Sequence, residues 1–381
     1  MRIRVNLPKV EPDVYEVPET CPYGCGCTHF KPHGVQAEPK PLRDPEYEEV
    51  ECYRWTCVRC QRSFRVYPRG VGPGPQSDRL KGITVLLYVL GLSYGAIEGF
   101  TGALGCGVGK TTAYNNVQAA GVVARQKQRA TVKTGGKRAV IGAEGTYVRL
   151  KGEHTGIEVV VDDQSGELLG LEVIVSESHD DIIDVIREVA EDVDAEVLVS
   201  DDHGAYQEVV DELGVEHQLC RRHVKENVED LADDLTDQLG NNEPPPEDSE
   251  LTPDQLADDL EQMRRLVWER PEDGEKQLEK LYDRYKVVPQ PPGGQRHSVW
   301  YRMRMFVTRL WERWRKFMLD QQRGDLDGTN NACERLIGWW IKERYRMMRG
   351  YKRKESIKNV VTLTARMGVR SGSYDMTELY A

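Results

Sequence analysis

The sequence contains no run of eighteen apolar residues, about the length that a membrane-spanning helix needs, so we expect no membrane span. Its first residues, MRIRVNLPKVEPDV, lack the apolar core of a secretory signal. A surplus of positive charge is also missing, because the formal net charge is −11 and the pI is about 5.4. These absences predict a cytoplasmic protein, and the overall acidity taken alone argues against a nucleic-acid partner.

Charge of each sign is nevertheless segregated along the chain. Residues 301–370 hold eighteen Lys and Arg against seven Asp and Glu, whereas residues 225–285 hold twenty acids against seven bases. The basic region contains a glutamate framed by amides, in the segment Asn330-Asn331-Ala332-Cys333-Glu334-Arg335-Leu336. One carboxylate within a cationic surface suggests a metal held beside phosphates, and a solvated amphipathic helix is the alternative.

Nine cysteines in a reducing compartment favour metal binding or buried thiols over disulfides. Cys57 and Cys60 form a CxxC pair on one tight turn, and Cys21 with Cys25 or Cys27 supplies a second pair. Four thiolates from two such pairs bind Zn²⁺ tetrahedrally, so we predict a structural zinc site. Three further side chains remain alternative ligands: His29, His33 and Cys52. Buried thiols without metal are the alternative to zinc.

A helical region follows a linker of Gly and Pro at 70–75. Apolar spacing at 80–90, a capping residue at Ser93 and a third segment at 108–120 predict three short helices. Such a unit is either a helix-turn-helix or a plain three-helix packing unit. The third helix carries side chains that can reach phosphates or base edges, and we assign DNA binding to Lys110, Thr112 and Asn115.

Strand patterns begin near Arg138. Extended segments are predicted at 139–143, 146–150, 156–161, 168–175, 195–200 and 217–220, and helices at 178–193 and 206–213. The region from 139 to 175 is predicted to be a three-stranded meander, and the whole pattern has the order β-β-β-α-β-α-β. Glu144 is expected at the end of the first strand, and Asp201-Asp202 at the end of the fourth. Because ligands of α/β sheets sit at strand ends, these acids mark a candidate site.

Four motifs, in order, resemble the catalytic motifs of DDE transposases of prokaryotic insertion sequences. They are Glu144-Gly145-Thr146-Tyr147-Val148, Ser200-Asp201-Asp202-His203, Cys220-Arg221-Arg222-His223 and Asn331-Ala332-Cys333-Glu334. The resemblance covers most of the chain, because many such enzymes also carry an amino-terminal zinc ribbon and a helix-turn-helix. It implies an α/β fold with an RNase H-like mixed sheet, helices on both faces, and an α-helical insertion before the last acid.

The predicted domains follow from this resemblance. They are a zinc ribbon at 1–70, a helix-turn-helix at 78–123, the first part of the catalytic core at 138–235, an acidic helical insertion at 236–297, and the second part of the core, with the last acid and basic helices, at 298–370. The insertion explains why 133 positions separate Asp201 from Glu334. Thr252, followed by Pro253 and by Gln255, predicts the start of a helix inside it.

The resemblance implies a DNA transposase that binds element ends and catalyses strand cleavage and strand transfer. It assigns Glu144, Asp201 and Glu334 as ligands of two Mg²⁺ (or Mn²⁺) ions, with Asp202 as the fallback for Asp201. Cys220 and His223 are expected to support the fold. The implied partners are double-stranded DNA, as terminal repeats and target, and further copies of the chain in a homo-oligomer on DNA. The implied location is the prokaryotic cytoplasm, in association with the nucleoid.

One position departs from the family pattern, because the first acid is ordinarily Asp and this chain has Glu144. The longer side chain displaces the carboxylate by about one methylene, while catalytic groups need placement within about 0.5 Å. The alternative function is therefore a catalytically decayed transposase that still binds specific DNA sequences. An RNase H-like nuclease unrelated to transposition is a third hypothesis, but it leaves the amino-terminal modules unexplained.

The basic carboxyl-terminal region supplies the remaining predictions. Residues assigned to the phosphate backbone of DNA are Arg344, Arg346, Arg349, Lys352 and Arg353. Trp311, Trp314 and Phe317 recur at helical spacing and predict a core stripe, with a base-stacking surface as the alternative. The arginines interleaved with them are expected to face outward to phosphates: Arg309, Arg313 and Arg315.

Overall fold

The computed structural model describes residues 4–34, 37–176, 178–239, 244–245, 251–292, 297–348, 350–367 and 373–380. Arg349, predicted to bind DNA, lies outside them. The chain divides into two compact units, one of Met1–Thr131, Val148–His154 and Gly338–Ala381 and the other of Val132–Tyr147 and Thr155–Ile337. The segment predicted as the second part of the core is therefore shared between the units.

The first unit begins with a small β region. Its strands are β1 (Arg4–Asn6), β2 (Glu11–Tyr15), β3 (Phe30–Pro32), β4 (Glu38–Pro41), β5 (Glu49–Cys57), β6 (Ser63–Val66) and β7 (Pro68–Arg69). The long strand β5 pairs antiparallel with β3, β4 and β6. The neighbouring apolar cluster has only four fully buried members, Val10, Leu42, Val50 and Val71. So small a core leaves the sheet in need of a further source of stability.

Three helices continue this unit: α1 (Asp78–Val89), α2 (Tyr94–Ala103) and α3 (Lys110–Thr134). The Oγ atoms of Ser77 and Ser93 accept backbone N–H bonds at the starts of α1 and α2, so the predicted cap at Ser93 is confirmed. The third helix continues well beyond the predicted end at residue 120. Gly121 does not terminate it but permits close packing, because a Cβ there would lie 2.5 Å from the Cβ of Asn359.

The second unit opens with the α/β segment. Its elements are β8 (Val140–Leu150), β9 (Glu153–Asp162), β10 (Leu168–Ile174), α4 (His179–Val193), β11 (Val197–Ser200), α5 (Gly204–Leu213) and β12 (Glu216–Leu219). The sheet order is β10-β9-β8-β11-β12. The β9–β10 pair is antiparallel, and β11 runs parallel to both β8 and β12. The predicted order β-β-β-α-β-α-β is confirmed.

Glu144 lies inside β8, which corrects the prediction that it ends the first strand. The strand continues because Thr146 and Val148 are buried while Tyr147 is exposed, the alternation of a half-buried strand. One face of the sheet packs on α4 and α5 through a cluster that includes Ile186 and Val209.

The acidic insertion and the segment after it are helical. The elements are α6 (Arg221–Leu239), α7 (Pro253–Glu269), α8 (Gly274–Tyr285), α9 (Val299–Phe317), α10 (Leu319–Gln322) and α11 (Asn331–Leu336). The side chain of Thr252 accepts the N–H of Gln255 at 3.2 Å, which confirms the predicted helix start. Buried side chains from α6 to α9 form one apolar cluster, and Trp314 and Phe317 belong to it. The predicted core stripe is confirmed.

The chain then returns to the first unit. A π-helical turn (Ile337–Lys342) leads to α12 (Glu343–Arg346), α13 (Lys354–Met367), β13 (Ser373–Asp375) and a 3₁₀ turn (Thr377–Leu379). The last strand pairs parallel with β1. Across the described part of the chain, every helix is too short or too polar to span a membrane.

Candidate acidic site and metal-binding clusters

The first two predicted acids lie near the ends of neighbouring strands. In the parallel pair of β8 and β11, Val199 is opposite Gly142, and the paired register ends there. Glu144 follows Gly142 by two residues inside β8, and Asp201 follows Val199 by two residues, directly after the last residue of β11. The two acids therefore lie in neighbouring chain segments at the carboxyl end of β11.

The two aspartates after β11 have different surroundings. The Oδ1 atom of Asp201 accepts the backbone N–H of His203 at 2.9 Å. The carboxylate of Asp202 is 12% exposed and is held between two guanidinium groups, those of Arg309 at 2.6 Å and of Arg313. Asp202 is thus committed to an ion-pair network, whereas the hydrogen-bond partner of the Asp201 carboxylate within the described ranges is a backbone N–H.

This network bears on the prediction about the α9 arginines. Arg309, Arg313 and Arg315 were expected to face outward. The side chains of Arg309 and Arg315 are 47% and 82% exposed and have that orientation. Arg313 departs from it, because its side chain is 24% exposed and, with Arg309, binds the largely buried carboxylate of Asp202, which needs a compensating charge.

The helix that carries the last acid sits directly on β8. A Cβ at Gly142 would lie 2.6 Å from the Oδ1 of Asn330 and 3.3 Å from the Sγ of Cys333, so only glycine allows this approach. Asn330 is fully buried and donates from Nδ2 to the carbonyl of Ala143 at 2.9 Å and to Oε2 of Glu144 at 3.2 Å. One amide therefore links the first acid to the start of α11.

Glu334 is neutralised by an arginine in this structure. Its Oε1 atom accepts hydrogen bonds from Nε of Arg222 at 2.9 Å and from Nη2 of the same residue. The Nε2 atom of His223 lies 3.8 Å from the same oxygen. Arg222 also forms an ion pair with Glu226 at 2.5 Å. The charge of the last acid is therefore paired by Arg222.

Negative charge accumulates around the buried thiol of Cys333. Burial raises the pKa of this thiol well above its ordinary value, and the charges of Glu144, Glu158, Asp163 and Glu334 raise it further. Burial also raises the pKa of Asp163 to about 7, with help from the charges of Asp327 and Asp162. Such a concentration of acids is an environment that a bound cation would stabilise.

A cleft of about 540 Å³ opens beside the end of β11. Its lining includes Asp201, His203, His223, Asp230 and Arg302. Among the described residues, the potential metal-binding groups whose ligand atoms all lie within 4.8 Å are two: Cys21, Cys25, Cys57 and Cys60, and Cys220, His223 and Glu334. The three acids Glu144, Asp201 and Glu334 do not form a third group within that limit.

The amino-terminal cluster has the geometry that zinc requires. The sulfurs of Cys21 and Cys60 are 3.7 Å apart and those of Cys25 and Cys57 are 3.5 Å apart. Tetrahedral Zn²⁺ with bonds of about 2.3 Å places two thiolate sulfurs about 3.8 Å apart. Cys27 instead donates to the carbonyl of His29 at 3.3 Å, so Cys25 completes the predicted set.

Comparison with known proteins identifies the family. A family model described as Transposase IS66 family matches residues 82–347, well over half of the chain. The chain belongs to the IS66 transposase family. No match was found among curated protein sequences.

Two solved structures are among those that the transposase chain matches. The catalytic core domain of HTLV-2 integrase in complex with magnesium covers 34% of this chain and 84% of its own at 15% identity and a TM-score of 0.21. The catalytic core domain of BIV integrase covers 50% and 90% at 15% identity and a TM-score of 0.19. The RNase H-like fold rests on the strand order β10-β9-β8-β11-β12 of the second unit, in which β9 and β10 are antiparallel and β11 is parallel to β8 and β12.

The predicted DNA-binding residues of the transposase differ in exposure. Lys110, Thr112 and Asn115 are all exposed near the start of α3, with Lys110 3.6 Å from Glu98. Arg346, Lys352 and Arg353 are exposed as well.

Arg344 corrects the prediction, because it is 5% exposed. Its guanidinium lies 3.9 Å from the ring centre of Tyr88 and donates to the carbonyls of Gly91 and Leu92. Arg344 is thus a packing residue of the first unit in this structure and lies outside the exposed basic surface.

Sequence reasoning missed three residues at the acidic site: Gly142, Asn330 and Arg222. A signal existed for Gly142, since a glycine inside a strand often marks a close approach of another segment. Asn330 and Arg222 stood within or beside quoted motifs. Their residue types did not reveal which partner each would contact across more than a hundred positions.

Proposed function

We propose that this transposase binds the ends of its element and catalyses DNA cleavage and strand transfer with Glu144, Asp201 and Glu334 as its metal-binding acids. The observation that carries the proposal is the convergence of three chain segments. Glu144 and Asp201 each follow the paired residues Gly142 and Val199 by two positions, and Asn330, which begins the helix of Glu334, donates to Glu144. This arrangement supports a shared site near the end of β11.

The residue types suit the chemistry. Three carboxylates offer the oxygen ligands that Mg²⁺ and Mn²⁺ prefer, and the acidic surroundings of Cys333 favour a cation. When bound, two such ions activate the attacking oxygen and stabilise the leaving oxygen of a phosphodiester. The chain's own contribution is to hold the acids in place, through Asn330 at Glu144 and through the ion pairs of Asp202.

The contact between Asn330 and Glu144 favours an active enzyme over a decayed copy. A glutamate has one more rotatable bond than the family's aspartate, and its carboxylate is correspondingly harder to fix. The Nδ2 atom of Asn330, 3.2 Å from Oε2, restrains that carboxylate from a fully buried position. Support of this kind around a metal ligand is worth about 10- to 100-fold in affinity or activity.

The exposed basic residues complete the proposal as DNA contacts. Lys110, Thr112 and Asn115 are assigned to the recognition of element ends, and Lys352 and Arg353 to the phosphate backbone. Reversing the charges of Lys352 and Arg353 should weaken binding to all sequences alike and flatten the salt dependence. An unchanged salt slope would remove these two residues from the DNA surface.

The decisive experiment measures strand cleavage of DNA that carries the element's own ends, with Mg²⁺ or Mn²⁺. Native protein and Glu144→Asp are compared, with Glu334→Gln as the variant that lacks a ligand. We expect cleavage by the native chain and a loss of more than about 100-fold in Glu334→Gln, since even supporting contacts cost about 10- to 100-fold. Cleavage only by Glu144→Asp would identify a decayed copy. DNA binding without cleavage, by both the native chain and Glu144→Asp, would favour the alternative function, a decayed transposase that only binds specific DNA sequences.

A further inference from the structure

A second cluster of metal-binding side chains lies beside the acidic triad and shares one of its members. The ligand atoms of Cys220, His223 and Glu334 all lie within 4.8 Å of one another. Cys220 is fully buried where β12 meets α6, His223 lies in the first turn of that helix, and Glu334 comes from α11. Two segments more than a hundred positions apart therefore supply sulfur, nitrogen and oxygen to one point.

The histidine of this cluster lacks a full set of partners. Its Nδ1 atom is buried without a hydrogen-bond partner in the described part of the chain, while Nε2 lies 3.0 Å from Nη2 of Arg222. A buried polar atom without a partner is costly, and a site that leaves one calls for an explanation. The sulfur of Cys220 already accepts the backbone N–H of Asn330 at 3.3 Å, a contact that a metal-bound thiolate can keep.

We propose that Cys220, His223 and Glu334 form a zinc site that competes with the catalytic metals for Glu334. Zinc binding by the cluster stands by itself, whereas its inhibitory effect rests on the proposed function. A thiolate, an imidazole and a carboxylate are the three ligand types that Zn²⁺ takes in proteins. Mg²⁺ prefers oxygen ligands and gains little from sulfur, so the two ions distinguish the two sites.

Arg222 determines what zinc must displace. Its guanidinium bonds both Glu334 and Nε2 of His223, so a dication can enter only when that group moves away. Arg222 is 42% exposed and already forms an ion pair with Glu226, which it keeps after leaving the cluster. In this structure Arg222 pairs the carboxylate of Glu334. Zinc at the cluster would bind that carboxylate instead of Arg222. The catalytic ions could use Glu334 only when neither Arg222 nor zinc holds it.

Metal stoichiometry tests the site directly. Native protein should bind two equivalents of zinc, one at the amino-terminal cysteines and one at this cluster. Cys220→Ser and His223→Ala should each bind one, and Cys106→Ser, which removes a buried thiol outside both clusters, should bind two. With Co²⁺, the absorption of a second thiolate–cobalt centre should be absent from Cys220→Ser. One equivalent in the native protein, or two in both cluster variants, would overturn the site.

Inhibition tests the competition separately. Zinc added beyond the first equivalent should reduce Mg²⁺-dependent cleavage by native protein at least about tenfold, whereas the same addition should leave His223→Ala at the rate it has with one equivalent. Equal inhibition of both proteins would overturn the competition. If no protein cleaves, the proposed function fails, and the stoichiometry still decides whether zinc binds. Retention of the first equivalent and of the native circular dichroism spectrum shows that each variant has folded.

Discussion

The two kinds of candidate metal-binding group in this transposase differ in how their side chains are arranged. At the amino terminus, four thiols gather with sulfurs 3.5 and 3.7 Å apart. At the acidic site, the carboxylates are spread among other partners: Glu144 bonds Asn330, and Glu334 bonds Arg222. Neutral thiols approach without repulsion, whereas three carboxylates repel one another and take whatever donors are near.

This difference also separates what each metal does for the chain. The β region has a small apolar core, so zinc would supply the folding energy that its cysteines cannot provide alone. The second unit has large clusters of buried apolar side chains that stabilise its fold. On the proposed assignment, zinc would be part of the structure in the first case, and divalent ions would serve the reaction in the second.

The largest effect is expected from Cys60→Ser. Because zinc binding contributes about 10–16 kcal/mol to folding in zinc-finger peptides, loss of one thiolate should release the metal and unfold the amino-terminal β region. The second unit should remain folded. Zinc content and limited proteolysis measure the two outcomes.

Cys52→Ser is the matched control for that change. Cys52 is buried in β5, whereas Cys60 is half-buried, and the sulfur of Cys52 donates to the carbonyl of Glu38 and takes no part in the cluster. The control should keep its zinc. Native protein that contains no zinc after purification, or a Cys60→Ser chain that keeps it, would refute the structural role.

The same contrast explains how much could be predicted from the sequence. Spacing alone identified Cys57 and Cys60, because both ligands of a pair lie on one turn of chain. Alternating patterns identified the strand order, but Glu144 was placed at a strand end because the buried positions beyond it could not be seen. The acids came from a family resemblance, since no local pattern connects Asp201 to a glutamate 133 positions away.

Side-chain contacts between distant parts of the chain could not be predicted from the sequence. Arg344 and Arg313 look alike in the sequence, yet one packs on Tyr88 and the other binds Asp202. An arginine in a basic segment is usually a solvated charge, and only tertiary structure shows when burial overrides that expectation. The exposed residues Lys352 and Arg353 remain predictions.

An intermediate effect is expected from Gly142→Ala. This change should displace the helix of Glu334 relative to Glu144 while leaving both carboxylates in the chain, so it tests the acidic site apart from the zinc cluster. The new Cβ would meet the Oδ1 of Asn330 at 2.6 Å, so α11 must shift away from β8. Overpacking of this kind costs about 1–3 kcal/mol. Thermal melting should show the loss, and cleavage should fall further than stability alone explains.

Gly204→Ala provides the control, because a Cβ there would meet no atom within 4 Å and the position begins α5. Alanine at a compatible position stabilises by about 0.4–1 kcal/mol, so the two changes should have opposite signs. A Gly142→Ala chain as stable and active as the native one would show that the close approach of α11 does not position the acids.

The smallest effect is expected from Asp163→Asn. Burial raises the pKa of Asp163 to about 7, above an unfolded value of about 3.9, so the folded state holds an extra proton between these values. The stability that native protein gains from holding this proton on Asp163 is complete below about pH 4 and is lost as pH rises through about 7. The variant should therefore gain a few degrees in Tm relative to native protein at pH 8 and none at pH 4. A difference that is the same at both pH values would contradict this assignment.

The central claim is that Glu144, Asp201 and Glu334 share one metal site, and melting curves with and without Mn²⁺ test it most directly. A ligand at 100 times its Kd stabilises the native state by about 2.7 kcal/mol. Asp202→Asn is the control, because it removes a neighbouring carboxylate that arginines bind. This variant and the native protein should both gain Tm with Mn²⁺. Asp201→Asn and Glu334→Gln should gain much less. Equal gains in all four proteins would contradict the shared site.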